Sequence, residues 1–208
     1  MGEIRVFVLL LPVIVASMVL HELAHAWTAW RLGDPTARRM GRLTLNPVPH
    51  IDPLGTAMFA LTYFAAGVMF GWARPVPVMP AYFRHPQRGM AVVAVAGPVT
   101  NFVIALVLTA VWQHARPSGE TALDVLELAI VVNIVLGVFN LLPIPPLDGS
   151  RIVGVFMDAD TYRRWSALDQ YGMLALLALF LLFQRPFTLL LTSARDRTFD
   201  VLLALVGG

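Results

Sequence analysis

Residues 21–25 read HELAH, with two histidines and a glutamate inside a strongly apolar stretch. On a helix, residues four apart share a face, so His21 and His25 can bind the same metal ion. Glu22, one position on, can take a proton from water at the open position of that metal. Zinc in such a site polarises a carbonyl and lowers the pKa of bound water to about 7. The pattern therefore predicts a hydrolytic metal centre.

The alternative is a pair of hydrogen-bonded histidines near a helix end, with Glu22 as an incidental neighbour. Counted back from Arg31, His25 and His21 lie about 9 and 15 Å below the end of the helix. Each ionised group at the middle of a membrane costs about 2.5–3.5 kcal/mol on insertion scales. This cost favours the metal-binding interpretation.

A hydrolytic zinc site usually has three protein ligands, and the segment 140–152, NLLPIPPLDGSRI, offers the third. Its prolines cannot continue a helix, so the preceding helix must end in an extended segment that can turn Asp148 back toward the histidines. Gly149 allows a tight turn there. The alternative is that Asp148 caps the helix that follows. The missing ligand of HELAH favours the metal role.

Three further polar residues are candidates for supporting the site or binding a substrate: Asn101, Asn140 and His50. In AGPVTN, residues 96–101, Gly97 and Pro98 are expected to break the regular hydrogen-bond ladder and free backbone carbonyls, and the buried amide of Asn101 must find partners. Asn101 either contacts a substrate peptide or a re-entrant element, or belongs to a packing kink. Asn140 has the same two interpretations. His50, in NPVPHIDP, either supports the site or lies in a solvated loop.

The elements that must position these residues are apolar helices. The chain is 58% hydrophobic and 13% charged, whereas ordinary globular domains are about 25% charged. This composition predicts an all-α integral membrane protein in a lipid bilayer. The net charge of +2 gives no sign of nucleic-acid binding, and the sequence has no cysteine for disulfides or thiolate ligands. Five apolar runs and a more charged tail follow one another: 4–30, 54–70, 90–112, 122–142, 168–183 and 187–206.

The run 54–70 is marginal for a membrane span at 17 residues. By the positive-inside rule, the arginine-rich connections on both sides of it, and the one after 142, are cytoplasmic. The run then enters and leaves on one side, and Asp148 lies on the same side as HELAH. We expect about five membrane-embedded helices plus this re-entrant or marginal segment, with 187–206 as an interfacial amphipathic helix.

HELAH near the start, GPVTN in the middle and NLLPIPPLDG later resemble the site-2 protease family of intramembrane zinc metalloproteases. GRLTLNPVPHIDPLGT and FGWARPVPVMP resemble its compact branch, without a PDZ or CBS domain. The resemblance implies one zinc ion bound by His21, His25 and Asp148, with Glu22 as general base. It also implies a multi-pass protein of the cell membrane, a site toward the cytoplasm, and transmembrane protein substrates cleaved in regulated intramembrane proteolysis.

The organisation expected from the sequence is a single domain over residues 1–208, with a catalytic core at about 4–157 and C-terminal helices at 167–206. Residues 76–78, VPV, are a candidate extended edge that offers backbone hydrogen bonds to an unfolded substrate strand. Two other functions use the same residues: a membrane metal carrier, and a proteolytically inactive homologue that binds membrane segments. Against the carrier, the ligands cluster on one side of the membrane.

Overall fold

A computed structural model describes residues 3–66, 70–115 and 119–207. Within these ranges the regular structure is helical, with no β-strand, which confirms the all-α class. Two short 3-10 helices lie at Val48–His50 and Pro80–Tyr82. The α-helices are α1 Glu3–Arg31, α2 Thr36–Arg39, α3 Pro53–Ala66, α4 Pro86–His114, α5 Glu120–Asn140, α6 Asp148–Gly154, α7 Ala159–Ala167, α8 Asp169–Leu182 and α9 Gln184–Leu205.

Among the described residues, three helices are long and apolar enough to cross a membrane. They are α1, α4 and α5, over Phe7–Arg31, Pro86–His114 and Thr121–Asn140, with mean hydropathy of 2.2, 2.3 and 2.3. The apolar helices α3 and α8 are shorter, at 14 residues each. The chain is therefore a multi-pass membrane protein with three helices of spanning length among the described residues. The expected number of about five embedded helices besides the 54–70 run stays a prediction.

The three long helices pack against one another and alternate in direction. At one end, Arg5 on α1 donates a hydrogen bond to Thr121 Oγ1 at the start of α5, at 2.9 Å. At the other end, His25 on α1 meets Val93 near the start of α4. Since α5 begins beside the start of α1, it ends beside HELAH, which is where α6 and Asp148 follow. The topology expected from the ligand requirement is thus the one observed.

The helix α3, Pro53–Ala66, covers most of the run 54–70, and the chain from Phe70 onward lies back along this helix. The N–H of Arg74 donates to the carbonyl of His50 at 2.9 Å, so the chain leaves where it entered. Thr62 Oγ1 lies 3.1 Å from both the N and the O of Phe70. A Cβ at Gly55 would lie 2.1 Å from Trp72 O, so this return requires glycine. The prediction that the run enters and leaves at the same end is confirmed. Residues 67–69 lie outside the described residues.

The expected gap in the hydrogen-bond ladder at Gly97 and Pro98 does not end the helix, because α4 continues through both residues. Proline removes one N–H from the helix ladder, but its fixed φ is compatible with helical backbone. Packing from neighbouring helices makes such a residue tolerable in membrane helices, and Pro98 is fully buried.

The C-terminal helices α8 and α9 pack against earlier parts of the bundle. Leu176 on α8 packs with Leu147 and Phe70 in a buried apolar cluster. The end of α9 packs on α4 and α5 through Leu202, and His114 Nε2 lies 2.8 Å from Val206 O. The interfacial position of 187–206 stays a prediction.

Candidate metal centre

Two elements deliver three potential ligands to one point. His21 and His25 project from the same face of α1, with their Nε2 atoms 2.9 Å apart. Asp148 places its Oδ2 at 3.2 Å from His21 Nε2 and 3.3 Å from His25 Nε2. The histidines are buried and the aspartate is largely so. The three residues that the sequence nominated as ligands are therefore brought together.

The proline-rich loop 141–147 explains how Asp148 reaches this point. Leu147 occupies the N-cap position of α6, and Asp148 is its first residue, without a capping hydrogen bond from its side chain. The capping alternative is therefore not what the structure shows. A Cβ at Gly149 would lie 2.2 Å from Leu141 O, so only glycine permits this tight return from α5.

The second ring nitrogen of each histidine fixes the orientation of its imidazole. His25 Nδ1 lies 2.7 Å from the carbonyl oxygen of Val93, which can only accept, so this nitrogen carries the proton. His21 Nδ1 lies 2.6 Å from Asn101 Oδ1. With both protons on Nδ1, each neutral ring presents an Nε2 lone pair to the same point.

The donor set fits a zinc ion. Two Nε2 lone pairs and Asp148 Oδ2 converge, and that oxygen is buried without a hydrogen-bond partner among the described residues. A tetrahedral zinc ion with bonds of about 2.0–2.2 Å has ligand atoms about 3.4 Å apart, close to the 2.9–3.3 Å separations observed. Burial raises the pKa of Asp148, but His25 and His21, when their imidazoles are protonated, outweigh it and lower the pKa to about 2, so the carboxylate is ionised.

Gly97 lets the backbone of α4 lie directly against the two histidines. A Cβ at this position would be 2.5 Å from the Nε2 atoms of both His21 and His25. Sequence reasoning treated Gly97 only as part of an interruption in the hydrogen-bond ladder. Its actual role is the close approach of two helices at the ligand atoms, and its position at the depth of HELAH was the available signal.

Glu22 is half-buried beside the histidines, and an irregular segment, residues 70–79, lies against it. Glu22 Oε2 accepts the N–H of Val76 at 2.8 Å. The segment is held by two buried side chains: Arg42 Nη2 donates to Arg74 O at 2.5 Å, and Asp34 Oδ2 accepts the N–H of Met79 at 2.6 Å.

The buried Arg42 also lies within electrostatic reach of Glu22. Burial lowers the pKa of its guanidinium, and the Glu22 carboxylate opposes that shift. Sequence reasoning missed the roles of Arg42 and Asp34, because it counted Arg42 only as a charge that sets membrane topology. The signal was the position of Arg42 inside GRLTLNP.

The three supporting candidates have different surroundings. Asn101 is fully buried, and both ends of its amide are used inside the protein, toward His21 and Asn133. Its contact is with an imidazole, not with an exposed peptide-binding surface. Asn140 donates to Leu136 O on its own helix at 2.9 Å. His50 is buried, with Nε2 at 3.1 Å from Thr44 O, so the solvated-loop alternative is wrong.

Sequence reasoning missed a polar pair behind Asn101. Asn133 is 1% and Ser17 is 4% exposed. The Nδ2 of Asn133 donates to Ser17 Oγ at 2.9 Å, and its Oδ1 accepts from Asn101 Nδ2 at 2.9 Å. The signal was an isolated amide in the otherwise apolar run 122–142.

A membrane protein whose helices bring a His-Glu-x-x-His pair and an aspartate together has the construction of a membrane-embedded metallopeptidase. Residues 113–183, which include Asp148, match the family "Peptidase family M50". The chain is 40% identical over 175 residues to "Putative zinc metalloprotease YwhC" of Bacillus subtilis, which covers 80% of this chain and 77% of that protein.

A second relative is Rip2 of Mycobacterium tuberculosis, which carries the same description. It is 32% identical over 183 residues, which cover 85% of this chain and 68% of that protein. No solved structure matches the chain. The chain belongs to peptidase family M50, and the resemblance to site-2 proteases is confirmed.

Proposed function

We propose that the protein is an intramembrane zinc metallopeptidase that hydrolyses peptide bonds within or near the transmembrane helices of membrane-protein substrates, in regulated intramembrane proteolysis. The observation that carries the proposal is the convergence of His21, His25 and Asp148 next to Glu22. The two histidines and the glutamate belong to a helix long enough to cross a membrane. Family membership supports the same reaction class.

His21 Nε2, His25 Nε2 and an Asp148 carboxylate oxygen would hold the zinc ion. When bound, zinc supplies a Lewis acid that polarises the scissile carbonyl and makes water a nucleophile near neutral pH. The residues around the ligands do the positioning: Val93 O and Asn101 Oδ1 hold the Nδ1 protons, and Gly97 leaves room for both Nε2 atoms.

Glu22 is the proton carrier of the reaction. Its carboxylate accepts a proton from the attacking water as the new carbon–oxygen bond forms, and it passes that proton to the amine as the carbon–nitrogen bond breaks. The N–H of Val76 fixes one carboxylate oxygen at 2.8 Å. The other carboxylate oxygen is thereby oriented and stays available to accept the proton of the attacking water.

A substrate helix hides its peptide bonds in its own hydrogen bonds, so it must unwind before cleavage. The 70–79 segment, whose Val76 touches Glu22, is the candidate surface for pairing with an unwound strand. Pro75 and Pro77 lack donors, so such pairing is short. The arginine-rich connections support a site toward the cytoplasm in a cell-membrane protein. The packing of Leu176 on Leu147, and of Leu202 on α4 and α5, supports a single domain over residues 1–208. Reporter fusions that place residues 71–89 outside the cell would overturn this orientation.

The test is Glu22→Gln in purified protein reconstituted in lipid with a single-span substrate. The variant should retain zinc and lose cleavage, because glutamine keeps the shape but accepts no proton. Glu127→Gln is the matched control, since Glu127 is an α5 carboxylate near Trp112, at the far end of the bundle from the site. Full cleavage by Glu22→Gln would remove Glu22 from its role. Zinc uptake into vesicles without cleavage would favour the membrane metal carrier. Absence of both bound zinc and cleavage in the unmodified protein would favour the inactive homologue.

A further inference from the structure

We propose that Asn101 and Asn133 are positioning residues that keep the proton of the His21 imidazole on Nδ1, and so keep Nε2 open as a metal ligand. The inference deepens the proposed function and rests on it for the identity of the ion. Neither amide touches the reacting atoms. Both would act through His21.

The two amides form a buried chain that ends on His21. Asn101 is 0% and Asn133 is 1% exposed. Asn133 Oδ1 accepts from Asn101 Nδ2 at 2.9 Å, and Asn101 Oδ1 lies 2.6 Å from His21 Nδ1. A buried amide without partners costs free energy, so each group in this chain is held to its role.

A backbone carbonyl fixes the donor-to-acceptor direction of the hydrogen bonds through Asn133 and Asn101. Asn133 Nδ2 donates to Ala129 O at 2.9 Å, and a carbonyl oxygen can only accept. The amide oxygen of Asn133 must then face Asn101, and Asn101 must donate to it through Nδ2. Asn101 is left with its oxygen toward His21 Nδ1, and that nitrogen must carry the proton.

This direction matters because His21 has an attractive alternative. With its proton on Nε2, His21 could donate directly to Asp148 Oδ2 at 3.2 Å or to His25 Nε2 at 2.9 Å. Either hydrogen bond would close the site by consuming two ligand atoms. A flipped Asn101 would stabilise this tautomer by donating to Nδ1. The link from Asn133 to Ala129 O prevents the flip.

His25 shows the same requirement met in a simpler way. Its Nδ1 donates directly to Val93 O, which cannot flip. His21 has two rotatable amides between it and an equivalent carbonyl, so its tautomer can be changed by mutation at a distance. Side chains that orient metal ligands in this way typically contribute 10–100-fold to metal affinity.

Two substitutions at one position separate this role from packing. Asn133→Leu keeps a similar side-chain volume. It removes both the acceptor for Asn101 Nδ2 and the donor to Ala129 O. In Asn133→Asp, the carboxyl keeps an oxygen that can accept from Asn101 whether it is protonated or ionised. Thr109→Val is the matched control, because Thr109 is fully buried on α4 and bonds only one turn back, to Ala105 O, at 2.8 Å.

All variants are made in the Glu22→Gln background, so that cleavage plays no part in the readouts. Zinc affinity is measured by chelator competition in lipid nanodiscs. The protonated ring nitrogen of His21 is assigned by nitrogen-15 NMR of metal-free protein at alkaline pH, with both imidazoles neutral.

Asn133→Leu should lose about 10–100-fold in zinc affinity and shift the His21 proton toward Nε2. Asn133→Asp should stay within about threefold of its parent and keep the proton on Nδ1. An unchanged tautomer and affinity in folded Asn133→Leu would overturn the inference, as would equal losses in Asn133→Leu and Asn133→Asp. If Asn133→Leu does not fold, a shift of the His21 proton or a loss of more than about threefold in zinc affinity in Asn133→Asp overturns the inference. If the parent binds no zinc, the proposed function fails, while the tautomer measurement still judges the inference.

Discussion

Gly97→Ala adds one methyl group at the point where α4 meets the two histidines. The new Cβ would lie 2.5 Å from the Nε2 atoms of His21 and His25, whereas ordinary contacts begin at 3.4 Å. Either the imidazoles or the helix must therefore move by about 0.9 Å, the difference between these two distances. Metal–ligand distances tolerate only about 0.2 Å.

The expected result is a loss of at least about 100-fold in zinc affinity, above the range typical of residues that only orient ligands. The fold should survive, because alanine favours a helix over glycine by up to about 1 kcal/mol, which offsets part of an overpacking cost of about 1–3 kcal/mol. Cleavage should fall in parallel with bound zinc.

The assay compares zinc content, zinc affinity and thermal unfolding of Gly97→Ala with those of Gly137→Ala. The control also introduces a tight contact, 2.9 Å from the ring of Phe102, but away from the ligands. It should bind zinc normally. Normal zinc affinity in Gly97→Ala would refute the reasoning that α4 presses on the ligand atoms.

Two further predictions concern the side chains that hold the 70–79 segment. Asp34→Asn should destabilise the protein by about 1–3 kcal/mol. The fully buried carboxylate accepts N–H groups from both Thr36 and Met79, whereas the amide oxygen of asparagine can replace only one of its two oxygens. Unchanged thermal unfolding and unchanged amide exchange at Met79 would contradict this prediction. Arg42→Gln should reduce cleavage while leaving bound zinc unchanged, because it releases the carbonyls of Arg74 and Pro75 and with them the contact of Val76 with Glu22; an undiminished turnover number would show that this anchoring is irrelevant to the reaction.

The grouping of His21, His25 and Asp148 could be predicted because each residue has a strong local signal. HELAH fixes a helical spacing of four, and the prolines before Asp148 force the chain out of its helix. The re-entrant course of the run around α3 followed from its length and from the arginines beside it. These features depend on spacing and on membrane energetics, which a single sequence displays directly.

The residues that sequence reasoning missed act through contacts between distant segments. The amide of Asn133 matters because α5 places it against Asn101. Gly97 was interpreted only as an interruption of the hydrogen-bond ladder, because the approach of α1 is invisible in the sequence. Arg42 carries a charge suited to a membrane surface, yet it is buried against the 70–79 segment. Helix packing, and not local pattern, decides each of these roles.

Zinc-edge X-ray absorption of the purified protein in lipid nanodiscs, measured beside Asp148→Ala, tests the central claim most directly. The protein should contain one zinc ion bound by two imidazole nitrogens and a carboxylate oxygen, and Asp148→Ala should lose that oxygen ligand. Absence of zinc from the folded wild-type protein, or a ligand set that Asp148→Ala leaves unchanged, would contradict the account.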